Sequence, residues 1–502
     1  MIMRHRVILL GILASFALLT AACLSRSDVE DEITPLPETT ALNYVFTPTA
    51  IQQVPEFTAT ATVQPSLPRS TYEGVPAPLM GVEVRKLNSP NKFEELAESG
   101  MTIFRHNGLQ WSEVESNEGE RNWDAVKALE KGLVQASEAD IDIILIIRST
   151  PMWAQKEAGY FCGPIAQDKL QSFAQFMKDL VSRYSQPPYN VKYWELWNEP
   201  DVAAQLVQVK SVFGCWGDSE DPFYGGGYYA EMLKAAYPAI KAADPLAQVL
   251  IGGLLLDCDP THPPEGKDCK PSRFLEGILN NGGGEYFDIV GFHGYPPYSG
   301  SAKGGGLYYD EHFGPWEHRG GVVLGKVSFL REVLSGYGLD KPIMHTEGSL
   351  ICPENTTDEC DPPGDAFYQA QADYVVWLFI RNWAVDVKGT IWYQYEGPGW
   401  RFGSMVGEDG QSKPALDAFR FLTSELGGAE FIQEVIDYPD LRGYEFLSDE
   451  KKIWVLWSPD GQSYSVSVPP GTTRVVDTFG NELQINQGYL NILRPVYLEL
   501  SP

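Results

Sequence analysis

One pattern constrains this chain more than any other. Short apolar runs alternate with stretches of helical spacing, and the alternation repeats eight times between Pro78 and Leu426. The strand-like runs are Leu79–Glu83, Thr102–Arg105, Ile141–Ile147, Val191–Leu196, Val249–Leu255, Phe287–Phe292, Pro342–His345 and Thr390–Tyr393. Ile141–Ile147 is interrupted only by Asp142, as expected of a strand covered on both faces. Helical spacing lies between most of them. Leu170, Phe173, Phe176, Met177, Leu180, Val181 and Tyr184 share one helix face. Tyr228–Ala243, Lys326–Leu334 and Asp365–Asn382 are further helical stretches, and Pro414–Leu426 follows the last run. Such alternation implies a parallel sheet, and eight units imply closure into a barrel. The rival, a doubly wound sheet, carries a Gly-rich phosphate loop after its first strand. Here the first run leads into Arg85-Lys86-Leu87-Asn88 instead. The expected fold class is α/β: a (β/α)8 TIM barrel with a small C-terminal all-β sandwich.

That sandwich is expected after Gly428, where the pattern changes. Tyr444–Leu447, Ile453–Trp457, Tyr464–Val468, Arg474–Val476 and Val496–Leu500 are short strand candidates. Ser-Pro-Asp-Gly and Phe-Gly-Asn punctuate them as turns. At the other end, Arg4, His5 and Arg6 precede an apolar stretch from Val7 to Ala22 of about signal-peptide length. It runs into Leu19-Thr20-Ala21-Ala22-Cys23, which resembles a bacterial lipobox. Thr20 stands where Leu is usual, so ordinary cleavage and a retained anchor stay open beside lipidation of Cys23. Residues 24–75 are rich in Thr, Pro, Ser, Ala and Glu and read as an extended, flexible stalk. The expected division is a lipoprotein-type signal over 1–23, a linker over 24–75, the barrel over 76–427 and the β module over 428–502.

The chain's 502 residues carry a formal charge of −29, which repels phosphate backbones and anionic lipid surfaces. Nucleic acid is therefore not an expected partner, and a membrane is expected only through the lipid anchor. Apart from Cys23 there are six cysteines: Cys162, Cys215, Cys258, Cys269, Cys352 and Cys360. An even number in an exported chain points to disulfides. Cys258/Cys269 and Cys352/Cys360 are close in sequence and read as loop staples, which leaves Cys162 with Cys215. Fifteen pairings are open in principle. No C-x-x-C pair is present and the histidines are scattered, so no metal site and no cofactor are expected.

In a barrel of this kind chemistry sits at the C-terminal ends of the strands. The fourth run ends Tyr193-Trp194-Glu195-Leu196-Trp197-Asn198-Glu199-Pro200-Asp201, and the seventh ends His345-Thr346-Glu347-Gly348. Each places a glutamate at the mouth, on nearly opposite sides of the ring. Two carboxyls facing across a sugar are what glycoside cleavage requires: one protonated to release the leaving oxygen, one ionised to attack or support the anomeric carbon. Arg105, ending the second run, is a candidate donor to the ionised one. A mouth glutamate taken singly reads equally well as a solvated loop residue.

Several separated motifs resemble the clan A glycoside hydrolases, retaining (β/α)8 enzymes. Trp197-Asn198-Glu199-Pro200 resembles their acid/base motif and Thr346-Glu347 their nucleophile. His293-Gly294-Tyr295 resembles their His-x-Tyr element, Trp392 their stacking tryptophan and Arg105 their second-strand arginine. The resemblance implies Glu199 as acid/base and Glu347 as nucleophile. It implies Asn198 on the sugar 2-hydroxyl, Tyr295 on the nucleophile, and His293 shaping the subsite. Ordinary roles for His293 and Trp392 are a satisfied strand-end histidine and core packing. Within the clan, Trp111-Ser112-Glu113-Val114-Glu115, Gly119-Glu120-Arg121-Asn122-Trp123-Asp124 and Thr150-Pro151-Met152-Trp153-Ala154 are similar to glycoside hydrolase family 39 and its relatives. Trp153 joins the substrate-binding candidates on that ground. Family 5 cellulases usually show a histidine after the third strand, where this chain has Ser149 and Thr150.

The function these readings imply is hydrolysis of β-glycosidic bonds in an oligo- or polysaccharide. The alternative is a carbohydrate-binding surface lipoprotein without catalysis on the same barrel. Tyr298, Tyr308, Tyr309 and Trp316 in the loop after the sixth run are candidates to stack on sugars, with ordinary loop packing the equal alternative.

Overall fold

The computed structural model describes residues 74–87, 92–208, 211, 213–301, 310–311, 314–354, 357–448 and 451–501. The signal segment, Cys23, the linker up to residue 73, Tyr308 and Tyr309 lie outside the described residues. The described residues all fall in one compact unit spanning 60–502.

Eight parallel strands close into a barrel: β2 (Leu79–Glu83), β3 (Ile103–Gln110), β4 (Asp142–Arg148), β5 (Tyr193–Leu196), β6 (Gln248–Leu254), β7 (Ile289–Gly294), β8 (Ile343–Gly348) and β9 (Gly389–Trp392). Closure is made by β2 on β9, with Leu79 opposite Gly389. β1 (Val75–Pro76) precedes the barrel and belongs elsewhere. The barrel floor is one apolar layer to which every strand contributes a side chain: Leu79, Ile103, Ile144, Tyr193, Leu250, Ile289, Met344 and Ile391. Because strand side chains alternate between faces, that layer fixes which residues further along point inward. Arg105 and Glu195 lie two positions beyond Ile103 and Tyr193, so they enter the barrel above the floor.

Several strands run past their expected ends, and two of the overruns carry site residues, His293 on β7 and Glu347 on β8. β3 extends to Gln110, β7 to Gly294 and β8 to Gly348. Irregular register accompanies the overruns, between Phe292 and His293 on one side and between His345 and Gly348 on the other. Such bulges re-aim side chains at barrel rims.

The outer layer includes α1 (Lys92–Glu98), α2 (Lys127–Glu138), α3 (Leu170–Tyr184), α4 (Gly226–Ala243), α5 (Phe274–Asn280), α6 (Val322–Gly336), α7 (Asp365–Ala384) and α8 (Pro414–Leu426). The apolar stripe expected from Leu170 to Tyr184 is the buried face of α3. Most of α7 is buried, because the C-terminal region covers the side that the barrel does not.

That region holds β10 (Glu430–Glu434), β11 (Arg442–Ser448), β12 (Lys451–Trp457), β13 (Tyr464–Ser467), β14 (Thr472–Asp477), β15 (Tyr489–Ile492) and β16 (Val496–Leu500). Six strands form one sheet in the order β1-β10-β11-β12-β16-β14, and β13 pairs with β15 in a second. Leu490 and Ile492 of the small sheet join Leu456, Val475 and Leu498 of the large one in a common apolar cluster. Val75, placed by sequence at the end of the linker, opens β1 and pairs with Phe431. The sheet meets the barrel through rings and charges. Trp383 packs on Phe446 at 4.8 Å and Phe421 on Tyr497 at 5.1 Å. Arg494 grips Asp373 of α7 through Nε at 2.9 Å and Nη2 at 3.0 Å.

The three disulfides all lie in loops at the C-terminal face of the barrel. Cys162 joins Cys215, Cys258 joins Cys269, and Cys352 joins Cys360.

Candidate active site

Glu199 is delivered by a tight turn at the end of β5. Trp197 and Glu199 both adopt left-handed backbone, with φ of 67° and 49°. For non-glycine residues such backbone is costly and persists where the surroundings over-determine it. The surroundings are visible. Trp197 is fully buried against Trp216 at 5.1 Å, and its Nε1 donates to the Cys162 carbonyl at 3.0 Å. The Glu199 N–H donates to the Gly253 carbonyl at 3.1 Å. β6 contributes a Gly252-Gly253 pair that makes room. A Cβ on Gly252 would fall 2.6 Å from the Trp197 carbonyl oxygen, and one on Gly253 would fall 2.1 Å from Nε2 of His293.

Glu347 enters from the bulged end of β8, and Arg105 is built around it. The guanidinium is fully buried and has five N–H donors. Nε and Nη2 grip Glu195, each at 2.8 Å. Nη2 also donates to Asn198 Oδ1. Nη1 donates to Glu83 at 2.6 Å and to Glu347 Oε2 at 2.7 Å. All five donors are therefore engaged. Because the Asn198 carbonyl faces Arg105, its amide nitrogen is left to face the cleft. The other oxygen of Glu347 accepts from the Tyr295 hydroxyl. His293 bridges the pair: Nδ1 lies 2.9 Å from Glu199 Oε1 and Nε2 lies 3.7 Å from Glu347 Oε2.

An oxygen of Glu199, one of Glu347 and a ring nitrogen of His293 all lie within 4.8 Å of one another. The trio does not suit a metal ion. Arg105 already donates to Glu347 Oε2, so a cation bound there would share that oxygen with a guanidinium.

Burial raises both carboxyls, each to about 7. Against burial, His293 and then Arg105 pull Glu347 down while Glu83 and Glu199 push it up, and Arg105 and Lys326 pull Glu199 down while Glu195 pushes it up. The two glutamates are thus raised alike, and hydrogen bonding tells them apart. Glu347 accepts from Arg105 and Tyr295, donors that favour its ionised form. Glu199 faces only the imidazole among the described residues.

Arg105, Asn198, Glu199, His293, Tyr295 and Glu347 come together as one constellation. Trp153, half-buried, packs on Trp111 at 5.3 Å and donates from Nε1 to the Glu115 carbonyl at 3.0 Å, contacts that do not join it to this constellation. Trp392 requires a correction. It is fully buried, packs near Tyr374, and donates from Nε1 to the Gly403 carbonyl at 2.7 Å. The reason is strand parity: Ile391 belongs to the barrel floor, so Trp392 points outward into the helices. Tyr393 takes the inward position, with its ring 6.1 Å from that of Tyr295. Tyr298 and Trp316 are likewise buried, Tyr298 on Glu359 and Trp316 on the Leu256 carbonyl at 3.2 Å. Ordinary loop packing is their role.

Sequence reasoning missed five residues here. Glu83 and Glu195 were legible in principle, as acids at inward positions of otherwise apolar strands. Lys326 reaches from α6 to the carbonyls of Leu255 and His293 at 2.6 and 2.8 Å, and no local pattern announces it. Asp201 accepts the N–H groups of Leu255 and Leu256 at 2.9 Å each, fixing the loop behind Glu199. Trp400, half-buried, stands edge-on to Tyr295 at 4.8 Å.

Comparison with known proteins places this geometry. The family model described as cellulase (glycosyl hydrolase family 5) matches residues 70–313. That stretch contains Arg105, Asn198, Glu199, His293 and Tyr295, despite the Ser149-Thr150 departure noted above. No curated protein sequence matches the chain. Among solved structures, a family 39 glycoside hydrolase from Bacteroides cellulosilyticus superposes with a TM-score of 0.63 at 19% identity, over 85% of this chain and 81% of that one. A conserved exported protein from Bacteroides fragilis gives 0.60 at 11% identity, over 85% and 98%. A family 30 subfamily 8 xylanase from Clostridium acetobutylicum gives 0.55 at 12% identity, over 86% and 97%. At such identities these likenesses concern the fold, and the family model adds the activity class. The chain is a glycoside hydrolase by the model that matches residues 70–313, and its barrel has the fold of the clan A enzymes.

Proposed function

We propose that this enzyme cleaves β-glycosidic bonds of an oligo- or polysaccharide with retention of configuration, through a covalent glycosyl-enzyme on Glu347. The observation that carries the proposal is spacing. Oxygens of Glu199 and Glu347 lie within 4.8 Å, in keeping with the ~5–5.5 Å between carboxyls of retaining enzymes and short of the ~6.5–9.5 Å that admits a water.

The roles follow from the hydrogen bonds. Glu347, held ionised by Arg105 and Tyr295, attacks the anomeric carbon as Glu199 gives its proton to the departing oxygen. Glu199, now a carboxylate, takes a proton from water as that water attacks the same carbon. The ester to Glu347 breaks and both glutamates return to their starting states. The Asn198 amide, turned outward by Arg105, is placed to donate to the sugar 2-hydroxyl. Tyr393, in place of Trp392, forms the aromatic wall beside the nucleophile.

A cellulase family model and a xylanase fold relative support a β-linked backbone as substrate. Three disulfides support an oxidising, extracytoplasmic location. Among the described residues no helix is long and apolar enough to cross a membrane. We extend the proposal to an anchor at Cys23, with the catalytic barrel over 76–427 held away from the surface by the stalk. The mechanism is tested by following hydrolysis by NMR on whichever substrate of a β-glycan panel is turned over. The first-formed anomer should keep the substrate's configuration, and inversion would sink the mechanism.

A further inference from the structure

His293 stands between the two glutamates with one ring nitrogen toward each, 2.9 Å from Glu199 and 3.7 Å from Glu347. The ring is fully buried, and Nε2 has no hydrogen-bond partner among the described residues. Burial lowers its pKa to about 4, so near neutral pH the ring is uncharged. A neutral imidazole has one N–H donor and one bare acceptor, so its proton must choose a side.

The choice bears on the mechanism proposed above, on which this inference rests. Glycosylation needs Glu199 protonated and Glu347 ionised. With the proton on Nε2, bare Nδ1 accepts from the Glu199 hydroxyl, and Nε2–H points at the negative oxygen of Glu347. With the proton on Nδ1, Glu199 is favoured as a carboxylate and a bare lone pair faces the Glu347 charge. The first arrangement fits the reactive state at both ends, and the second fits it at neither. We infer that His293 is held as the Nε2–H tautomer and is the positioning residue that stabilises the acid form of Glu199 and the ionised form of Glu347 together.

The other charges around the site do not act this way. Arg105 from β3 and Lys326 from α6 are positive and favour ionisation wherever they are felt. Glu83 from β2, Glu195 from β5 and Asp201 beyond it are negative and oppose it. His345, on β8, is itself buried and neutral, with its pKa lowered to about 3. None of these groups acts with opposite sign on the two glutamates. His293 does.

Two variants separate its two ends. In His293→Asn the amide oxygen takes the place of Nδ1, so Glu199 keeps an acceptor while Glu347 loses a donor. Losing a donor to its ionised form raises the pKa of Glu347, and the acidic limb of the kcat/KM profile should move up by about one unit with the alkaline limb in place. In His293→Gln the amide nitrogen takes the place of Nε2, so Glu347 keeps its donor while Glu199 loses its acceptor. The alkaline limb should then move down by about one unit with the acidic limb in place. A rate loss equal at every pH in both variants, or limbs moving in the opposite sense, overturns the inference. Neutron diffraction from perdeuterated wild-type crystals, grown below the alkaline limb, needs no variant and no turnover. Deuterium on Nε2 is expected, and deuterium on Nδ1 overturns the inference. Failure of the two-glutamate reading would show separately, as full activity in Glu347→Ala.

Discussion

A single side chain decides most about this site. Arg105 distributes five N–H groups among Glu195, Asn198, Glu83 and Glu347, so it orients the Asn198 amide and favours the ionised form of Glu347, the two groups proposed to hold and to attack the sugar. Replacing Glu347 by alanine should lower kcat/KM by at least about 10⁴-fold, the order expected when a nucleophile is removed, and the melting temperature should hold. Near-normal turnover on any hydrolysed substrate would defeat the assignment. Trp392 and Tyr393, adjacent in sequence, should fail differently. Trp392→Ala empties a fully buried site and should cost about 3–5 kcal/mol of stability in denaturant unfolding. Tyr393 is buried too, so Tyr393→Ala should also cost stability, but of the two only Tyr393→Ala should raise KM. The reverse pattern would restore Trp392 to the cleft. Glu199 and Glu347 could be read from sequence because strand ends carry the chemistry of barrels. Trp392 misled because a resemblance gives identity without parity, and a one-residue step along a strand exchanges the cleft for the helix layer.

Elements show the same limits. Eight strands and their helices were legible from apolar runs, since burial on both faces leaves a continuous hydrophobic signature. Strand ends were not. His-Gly after Phe292 and Thr-Glu-Gly after His345 look like loop by hydropathy, yet they continue β7 and β8 as bulged strand. β10, β15 and the two residues of β1 were also missed. β10 has one buried residue in five and β1 one in two, so their pairing rests on the partner strand more than on their own composition. Loops behind Glu199 are stapled by Cys162–Cys215, which spans 53 residues. Replacing both cysteines by serine should cost about 4 kcal/mol by loop-closure entropy, read from denaturant midpoints. Because Trp197 donates to the Cys162 carbonyl, kcat should fall as well. Unchanged stability and kcat together would show that the turn holds without the bridge.

At the scale of the whole molecule, the barrel and the C-terminal sheet share charged pairs that no local pattern revealed. Glu311 is buried against Arg381 of α7 and Arg442 of β11, and Asp373 accepts from Arg494 and Thr478. Such contacts join residues 70 to 131 positions apart, so composition cannot announce them. Removing Asp373 leaves the buried Thr478 hydroxyl and the half-exposed Arg494 without their acceptor, and Asp373→Ala should cost about 1–3 kcal/mol. Calorimetry would read this as a lower Tm, and an unchanged transition would show that the ring contacts hold the sheet alone. β1 gives the arrangement a mechanical meaning. It is clamped to β10 by Val75 on Phe431 and Pro76 on Glu430, and to Trp383 through the Val75 carbonyl. Tension arriving along the chain at residue 74 meets this clamp before it reaches β2. A pull applied at residue 74 would thus load the C-terminal sheet ahead of the barrel strands that space the two glutamates, as a strain relief does for a cable.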